Sequence, residues 1–452
     1  MKRSTLKVFA WIQLGALAVV ANQCLPRLRG QTPPPANPQA ASVAPLTLGD
    51  LEEMALARNP TLAEAANAVR AAQGRKLQAG LFPNPTVSYH GDEIAGGPIL
   101  RGGEHGMIVS QTLVTAHKLG VSRGAAAAQV SRTQDMASAQ RERVLTGVRL
   151  LYYQALGAER LVHVRSSLLA IAQDAVQTSE GLYNVGQADR PDLLEAQIEE
   201  QQAELALAAA RQARVRAWRQ LAAVVGDPSL EQRPLAGKLD TPWPQLDPKS
   251  SLQSILDSSP AVKAAEARVE QARLTLKRAR VQEKPDVRIE AGVLDNRERL
   301  ETIASRPVGL VGYADVNVEL PIFNRNQGNV KAAAAELAAA REEVERVRLT
   351  LRSRYAAVFT EYADSSLAAE RYKAEMLPRA REAYQMYLTR YRQMAASYPQ
   401  VLIAQRTMFQ LEEQYVQTLV QLRLSVAKIQ GLLLTGGLER PAGISRADSA
   451  DF

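Results

Sequence analysis

Slid along itself, the 452-residue sequence falls into register twice, and this internal duplication constrains the fold more than any single motif. Asn59-Pro60 lies on Ser259-Pro260; at the same offset Leu62 meets Val262, Ala65 meets Ala265, Val69 meets Val269, Ala72 meets Ala272, Pro85 meets Pro285 and Val87 meets Val287. Farther on the offset grows to 208, so that Tyr183 meets Tyr391, Pro191 meets Pro399, Leu194 meets Leu402 and Gln197 meets Gln405. The repeats are expected over 46–235 and 251–438, joined by a Pro- and Asp-containing connector over 236–250 and followed by a flexible tail over 439–452. Whatever the first half folds into, the second must fold into as well.

Each half reads as a helix, two short strands, a very long helix, a turn and another helix. Aromatic residues are only 5% of the chain, and long tracts of Ala, Leu, Gln, Glu and Arg favour helix. In the first half a helix is expected from Asp50, as its cap, to about Leu81, ended by Phe82-Pro83-Asn84-Pro85. The next spans about 118–184, with small or apolar residues at Val144, Val148, Leu151, Ala155, Ala158, Val162, Leu169, Ala172 and Val176, a coiled-coil spacing of threes and fours. About 67 residues make roughly 100 Å of helix, which needs partners along its length. The first helix and the one from Pro191 to Gly226 together match it, so two shorter helices can stack end to end beside one long one. The second half repeats this over 252–283, 328–394 and 399–435, with Pro378 expected to kink its long helix.

Strands are expected near 85–91, 104–114, 285–293 and 311–320. Tyr313 to Leu320 alternates apolar and polar residues, and Val287, Ile289, Ala291 and Val293 alternate with Arg288, Glu290 and Gly292. One oily face and one charged face suit a membrane barrel strand, and equally a soluble antiparallel sheet over a core. The count goes further. An open edge cannot sit in lipid, because unpaired backbone groups there cost several kcal/mol each. Four strands cannot close the usual minimum of eight, so strands in a membrane require several chains to pool their sheets.

Lys2, Arg3 and Lys7 precede an apolar run from Val8 to Ala21, the layout of a secretory signal peptide over 1–21, with Val19 and Ala21 fitting the cleavage pattern. The run is short for a membrane anchor. Losing those three cations lowers the formal charge from +8 to +5, which weakens a nucleic-acid reading. A Pro-rich leader follows over 22–45. The single cysteine, Cys24, excludes an internal disulfide; Asn22 and Gln23 sit where acylation of Cys24 would want small residues.

His90, His105, His117 and His163 show no i, i+4 pairing, so no metal site is expected. No phosphate loop, His-Glu-x-x-His or Gly-x-Ser-x-Gly occurs, and neither catalysis nor a cofactor is expected. Glu104-His105 beside Gly102-Gly103 reads as an exposed loop, and Arg211, Arg214, Arg216 and Arg219 as a solvated or lumenal helix face.

Signal, duplication, two strands in each half and helices of about 100 Å together resemble the TolC-like outer-membrane efflux proteins. The most specific stretch is Val318 to Asn329, which is similar to the strand-to-helix junction of the cobalt–zinc–cadmium-type branch. Tyr183-Asn184-Val185-Gly186-Gln187 through Gln197 is similar to the helical tip that meets the periplasmic adaptor. The resemblance implies a mainly α protein with a small transmembrane β part: a homotrimer with a twelve-stranded barrel, four strands per chain, in the outer membrane of a Gram-negative bacterium. An α-helical tunnel continues into the periplasm, fed through an adaptor by an inner-membrane pump of the resistance-nodulation-division type. It places adaptor contact at Val185, Gly186, Gln187, Asp189, Asp192, Met394, Ser397 and Pro399. Asp192, Glu195 and Gln400 are its aperture candidates; acidic residues usual on the second hairpin are replaced here by Gln400 and Ile403. The barrel–tunnel junction falls at Pro83, Pro85, Pro285, Pro321 and Phe323. The competing reading is a soluble, exported coiled-coil scaffold.

Overall fold

In the computed structural model the structure describes residues 44–94, 102–187, 189–299, 306–393 and 395–441. The expected signal peptide, most of the leader, Met394 and most of the tail lie outside these residues.

Each half opens on two helices where the sequence suggested one. Helix α1 (Leu48–Arg58) and α2 (Pro60–Gln78) are separated at Asn59, and α5 (Pro248–Ser258) and α6 (Pro260–Val281) at Ser259. The cause is the matched X-Pro pair. Proline drives the residue before it out of the helical region, and Asn59 and Ser259 adopt ψ 121° and 119°. Each proline is then free to start a new helix. Asp50 is not the cap of α1: Thr47 is, and Asp50 is its reciprocal partner three residues on, in a capping box.

The long helix α3 (Lys118–Asn184) runs unbroken for 67 residues. Its counterpart is α7 (Gln327–Arg371), a π-turn (Tyr372–Met376) and α8 (Leu377–Arg392). The irregularity expected at Pro378 thus takes the form of a widened turn just before it, since proline supplies no N–H and its ring crowds the preceding turn. Helix α4 (Arg190–Val225) ends on Gly226 at φ +85°, and α9 is Tyr398–Gln430. Helices α2, α4, α6 and α9 all pack on α3, while α6 and α9 also pack on α7. Pairing two shorter helices against each long one gives α3 partners from both repeats.

The main core follows these seams. Leu51, Val144, Val148, Leu221 and Leu422 are fully buried, and Tyr355, Tyr362, Phe409 and Ile429 join the same cluster. The connector is sewn to it: Tyr362 Oη donates to Pro244 O, Trp243 Nε1 to Ser366 Oγ, and Arg423 Nε to Leu239 O.

The four strands, β1 (Thr86–Asp92), β2 (Glu104–Leu113), β3 (Val287–Arg299) and β4 (Pro307–Val318), form one antiparallel sheet in chain order. The second pair is longer than the sequence suggested; its hairpin spans 32 residues against 28, and the segment from β4 to α7 is four residues longer than that from β2 to α3, which together give most of the growing offset. Pro85 and Pro285 are 200 positions apart, whereas Lys118 and Gln327, which open the long helices, are 209 apart. Pairing continues past Leu294 because the ladder needs only backbone groups, whatever the side chains.

Candidate functional site

The strand register decides what each sheet face can meet. Val87 pairs with Val109, Val109 with Ala291 and Ala291 with Ala314; the next row is Tyr89, Met107, Val293 and Gly312. With Ile289, Leu310 and Val316 these make one face oily, and most of its large side chains are exposed. The opposite face carries Glu104, Ser110, Arg288, Glu290, Asp315 and Asn317. There Arg288 pairs with Glu290 at 2.7 Å and reaches Ser110 Oγ at 3.3 Å. An oily side and a charged side, back to back, suit a wall between lipid and water.

Glu104 and His105, read from sequence as an exposed loop, begin β2. His105 is buried, with Nδ1 2.6 Å from Tyr89 Oη and Nε2 2.7 Å from Gly102 O. Among the described residues no group of three or more His, Cys, Asp or Glu side chains is placed to hold a metal ion, and no helix is long and apolar enough to cross a membrane.

Where sheet becomes helix, Pro83 and Pro85 lie between α2 and β1, Pro285 just before β3, and Pro321 and Phe323 between β4 and α7. Both long helices start from a residue in the left-handed region, His117 at φ 60° and Asn326 at φ 61°. Thr115 N donates to Asp286 Oδ1 at 2.8 Å, Lys118 Nζ pairs with that same oxygen at 2.9 Å, and Asn326 Nδ2 donates to Ala279 O at 2.8 Å. Around these polar ties Phe82, Leu320 and Ile322 are exposed, and Phe323 is 91% exposed. Exposed apolar residues where an oily sheet face gives way to helices fit a membrane boundary.

At the far end, α3 closes in a Schellman motif. Gln187 N donates to Leu182 O at 2.8 Å and Gly186 N to Tyr183 O at 3.0 Å, with Gly186 at φ +74°. Val185 and Gln187 flank it, and Asp189 caps α4 with its backbone extended. In the second half Ala395 N makes the equivalent bond to Arg390 O at 2.8 Å, and Ser397 caps α9 ahead of Pro399. Asp192 and Glu195 are half-buried in the first turns of α4, and Gln400 is exposed on α9. Gln400 and Ile403 line a groove of about 260 Å³ with Ala380, Ala383, Tyr387 and Ala404.

Sequence reasoning missed the residues that join the two hairpins. The rings of Tyr391 and Tyr398 lie 5.8 Å apart, tilted at 56°, and Tyr398 and Leu402 pack on Ala196 of α4. Arg406 Nη2 meets Glu199 Oε2 at 2.7 Å, with Glu199 only 7% exposed. Burial, then Glu199 and Glu195, push the Tyr398 phenol up to about 12. The hydrogen bond to Glu199 raises Arg406 further above its ordinary value. The one available signal was the 208-residue offset, which pairs Tyr183 with Tyr391.

The sequence pattern of the outer membrane efflux protein family matches residues 51–227 and again 251–433. The cobalt-zinc-cadmium resistance protein CzcC of Cupriavidus metallidurans is 26% identical over 407 residues, covering 88% of this chain and 92% of that protein. The outer-membrane channel OprN shares the fold with a TM-score of 0.72 at 19% identity, over 87% of this chain and 91% of that one. The outer membrane protein VceC of Vibrio cholerae does so with a TM-score of 0.71 at 20% identity, over 87% and 97%. One family pattern met twice, once on each repeat, identifies this chain as a member of the outer membrane efflux protein family, an outer-membrane channel whose helical part stands in the periplasm.

Proposed function

We propose that three copies of this chain pool their sheets into a twelve-stranded barrel, and that the assembly is a passive exit duct. Solutes arrive from an inner-membrane pump of the resistance-nodulation-division type through a periplasmic adaptor seated on the helical tips. The observation that carries the reading is the open sheet: among the described residues β1 and β4 are unpaired edges, while the face that would meet lipid is oily. Edges of that kind need partners in hydrocarbon. Repeat symmetry supplies them. Within the chain β2 of the first repeat pairs with β3 of the second; the equivalent pairing, β4 with β1, is left for the next copy.

In this reading Gly186, Gln187, Asp189, Ser397 and Pro399 belong to the adaptor-facing tips, Asp192, Glu195 and Gln400 to the aperture, and Pro83, Pro85, Pro285, Pro321 and Phe323 to the membrane boundary. The name of the relative CzcC makes divalent cobalt, zinc and cadmium the first cargo to test. Cysteines along β4 and β1 should cross-link neighbouring copies into a trimer in the outer-membrane fraction, and deletion should sensitise cells to these metals. A water-extractable monomer that never cross-links would end the duct reading in favour of a soluble scaffold.

A further inference from the structure

Outside the sheet and the tips, one cavity has the chemistry of a binding site. It encloses about 220 Å³ where the strand-like segment after α4 crosses back over α3 and α4. Leu46 pairs with Leu235 in a parallel bridge beside it, and Trp218 Nε1 donates to Leu230 O at 2.9 Å, so its walls are fixed. Ala155, Trp218 and Leu235, all buried, supply its apolar lining, and Glu159, Arg214 and Arg233 supply its charged lining.

Arg214 is the odd residue of the α4 arginine run. Its Nε is buried and has no hydrogen-bond partner, and among the described residues neither Arg214 nor Arg233 has a carboxylate within ion-pair distance. A guanidinium N–H withheld from water and given no acceptor is costly unless an acceptor arrives. The planar guanidinium fork matches a carboxylate in shape and charge.

We infer that this cavity is a carboxylate-binding site. Arg214 and Arg233 hold the carboxylate, and an apolar body rests on Trp218. The carboxylate comes either from a free small acid or from an Asp or Glu side chain of a second copy of this chain in the assembled channel.

The purified full-length oligomer, titrated with benzoate while Trp218 fluorescence is followed, tests this; benzamide is the uncharged control and Trp218→Phe identifies the signal. A free-acid site gives saturable benzoate binding, no benzamide binding, and at least a tenfold loss of affinity in Arg214→Gln. Arg214→Lys, which keeps the charge and the stem, should lose several-fold through loss of the fork. A site already filled by a neighbouring copy gives no benzoate binding to the oligomer, but Arg214→Gln lowers its dissociation temperature. Equal binding of benzoate and benzamide, benzoate binding that survives Arg214→Gln, or no binding together with an unchanged dissociation temperature each overturns the inference.

Discussion

Glu199 on α4 and Arg406 on α9 meet at 2.7 Å across 207 positions of sequence, tying the hairpin of one repeat to that of the other. Glu199 is almost fully enclosed while Arg406 is half exposed, so the two partners are not equivalent. Removing Arg406 strands a carboxylate among apolar neighbours, a loss of about 3–5 kcal/mol for a wholly buried pair. The exposure of Arg406 reduces this to roughly 1–2 kcal/mol, a factor of about 5–30 in the ratio of packed to unpacked tip. Arg406→Ala should therefore speed backbone amide hydrogen exchange around Glu199 and Arg406 by that factor. The double variant Glu199→Gln, Arg406→Gln should fall back toward wild type, because no uncompensated charge remains. Additive effects of the two changes would show that the pair does not hold the hairpins together.

Tyr398 offers a reading of the same junction by pH. Burial and the neighbouring Glu199 and Glu195 favour its neutral phenol, so the pKa in the packed tip is raised above the ordinary tyrosine value to about 12. The sign follows from linkage. The packed tip binds this proton more tightly than the unpacked one, so its advantage is complete below about pH 10 and drains away as pH rises toward 12. The ultraviolet phenolate signal lost in Tyr398→Phe should titrate near 12 in the intact protein. Titration near 10 would mean that the tip is not packed in solution.

How much of this was legible in sequence depended on whether a feature was local. The bounds of α3 could be read because a seam of threes and fours runs through Val144, Val148 and Ala155, and α4 because Pro191 and Gly226 punctuate it. The break at Asn59-Pro60 was equally local and was noticed as a repeat match, yet a proline at the start of a new helix leaves the apolar rhythm intact on both sides. The ends of β3 and β4 were lost for another reason. Asp295 and Arg297 interrupt the oily alternation, while backbone pairing runs on without it. The Glu199–Arg406 tie was out of reach, because it depends on how α4 and α9 rotate against a shared neighbour, and no spacing within either helix fixes that. His105 was misread because its burial comes from Tyr89 on the adjoining strand.

Two glycines that both lie in the left-handed region should behave very differently when given a methyl group. At Gly186 an added Cβ would meet nothing within 4 Å, so Gly186→Ala costs only the backbone strain of positive φ, about 1 kcal/mol. At Gly226 the same atom would come within 2.7 Å of Arg58 O, where the end of α4 abuts the end of α1. Gly226→Ala should cost at least about 3 kcal/mol, since backbone must move as well. Thermal dissociation of the purified oligomer would rank them; equal shifts would remove the close approach as the cause.

The sharpest test of the sheet uses neighbouring residues on β4. Ala314 lies in the oily row with Val87, Val109 and Ala291, whereas Asp315 faces the other way and stands opposite Glu290. An arginine on the lipid face near mid-membrane costs about 2–4 kcal/mol per chain. In three copies that cost is met three times, and Ala314→Arg should all but abolish the heat-modifiable oligomer in the outer-membrane fraction. Asp315→Arg gives up the 3.3 Å hydrogen bond from Tyr313 Oη but sets a cation against Glu290 on the wet side, and should assemble at near wild-type level. A soluble sheet over a protein core would also reject a charge on its packed face, but that face would then be covered. Here the oily face stands bare, with Val316 64% and Leu310 79% exposed, so lipid is the environment that gives the substitution its cost. If both variants assemble equally, or only Asp315→Arg fails, the assignment of lipid-facing and water-facing sides is reversed or wrong.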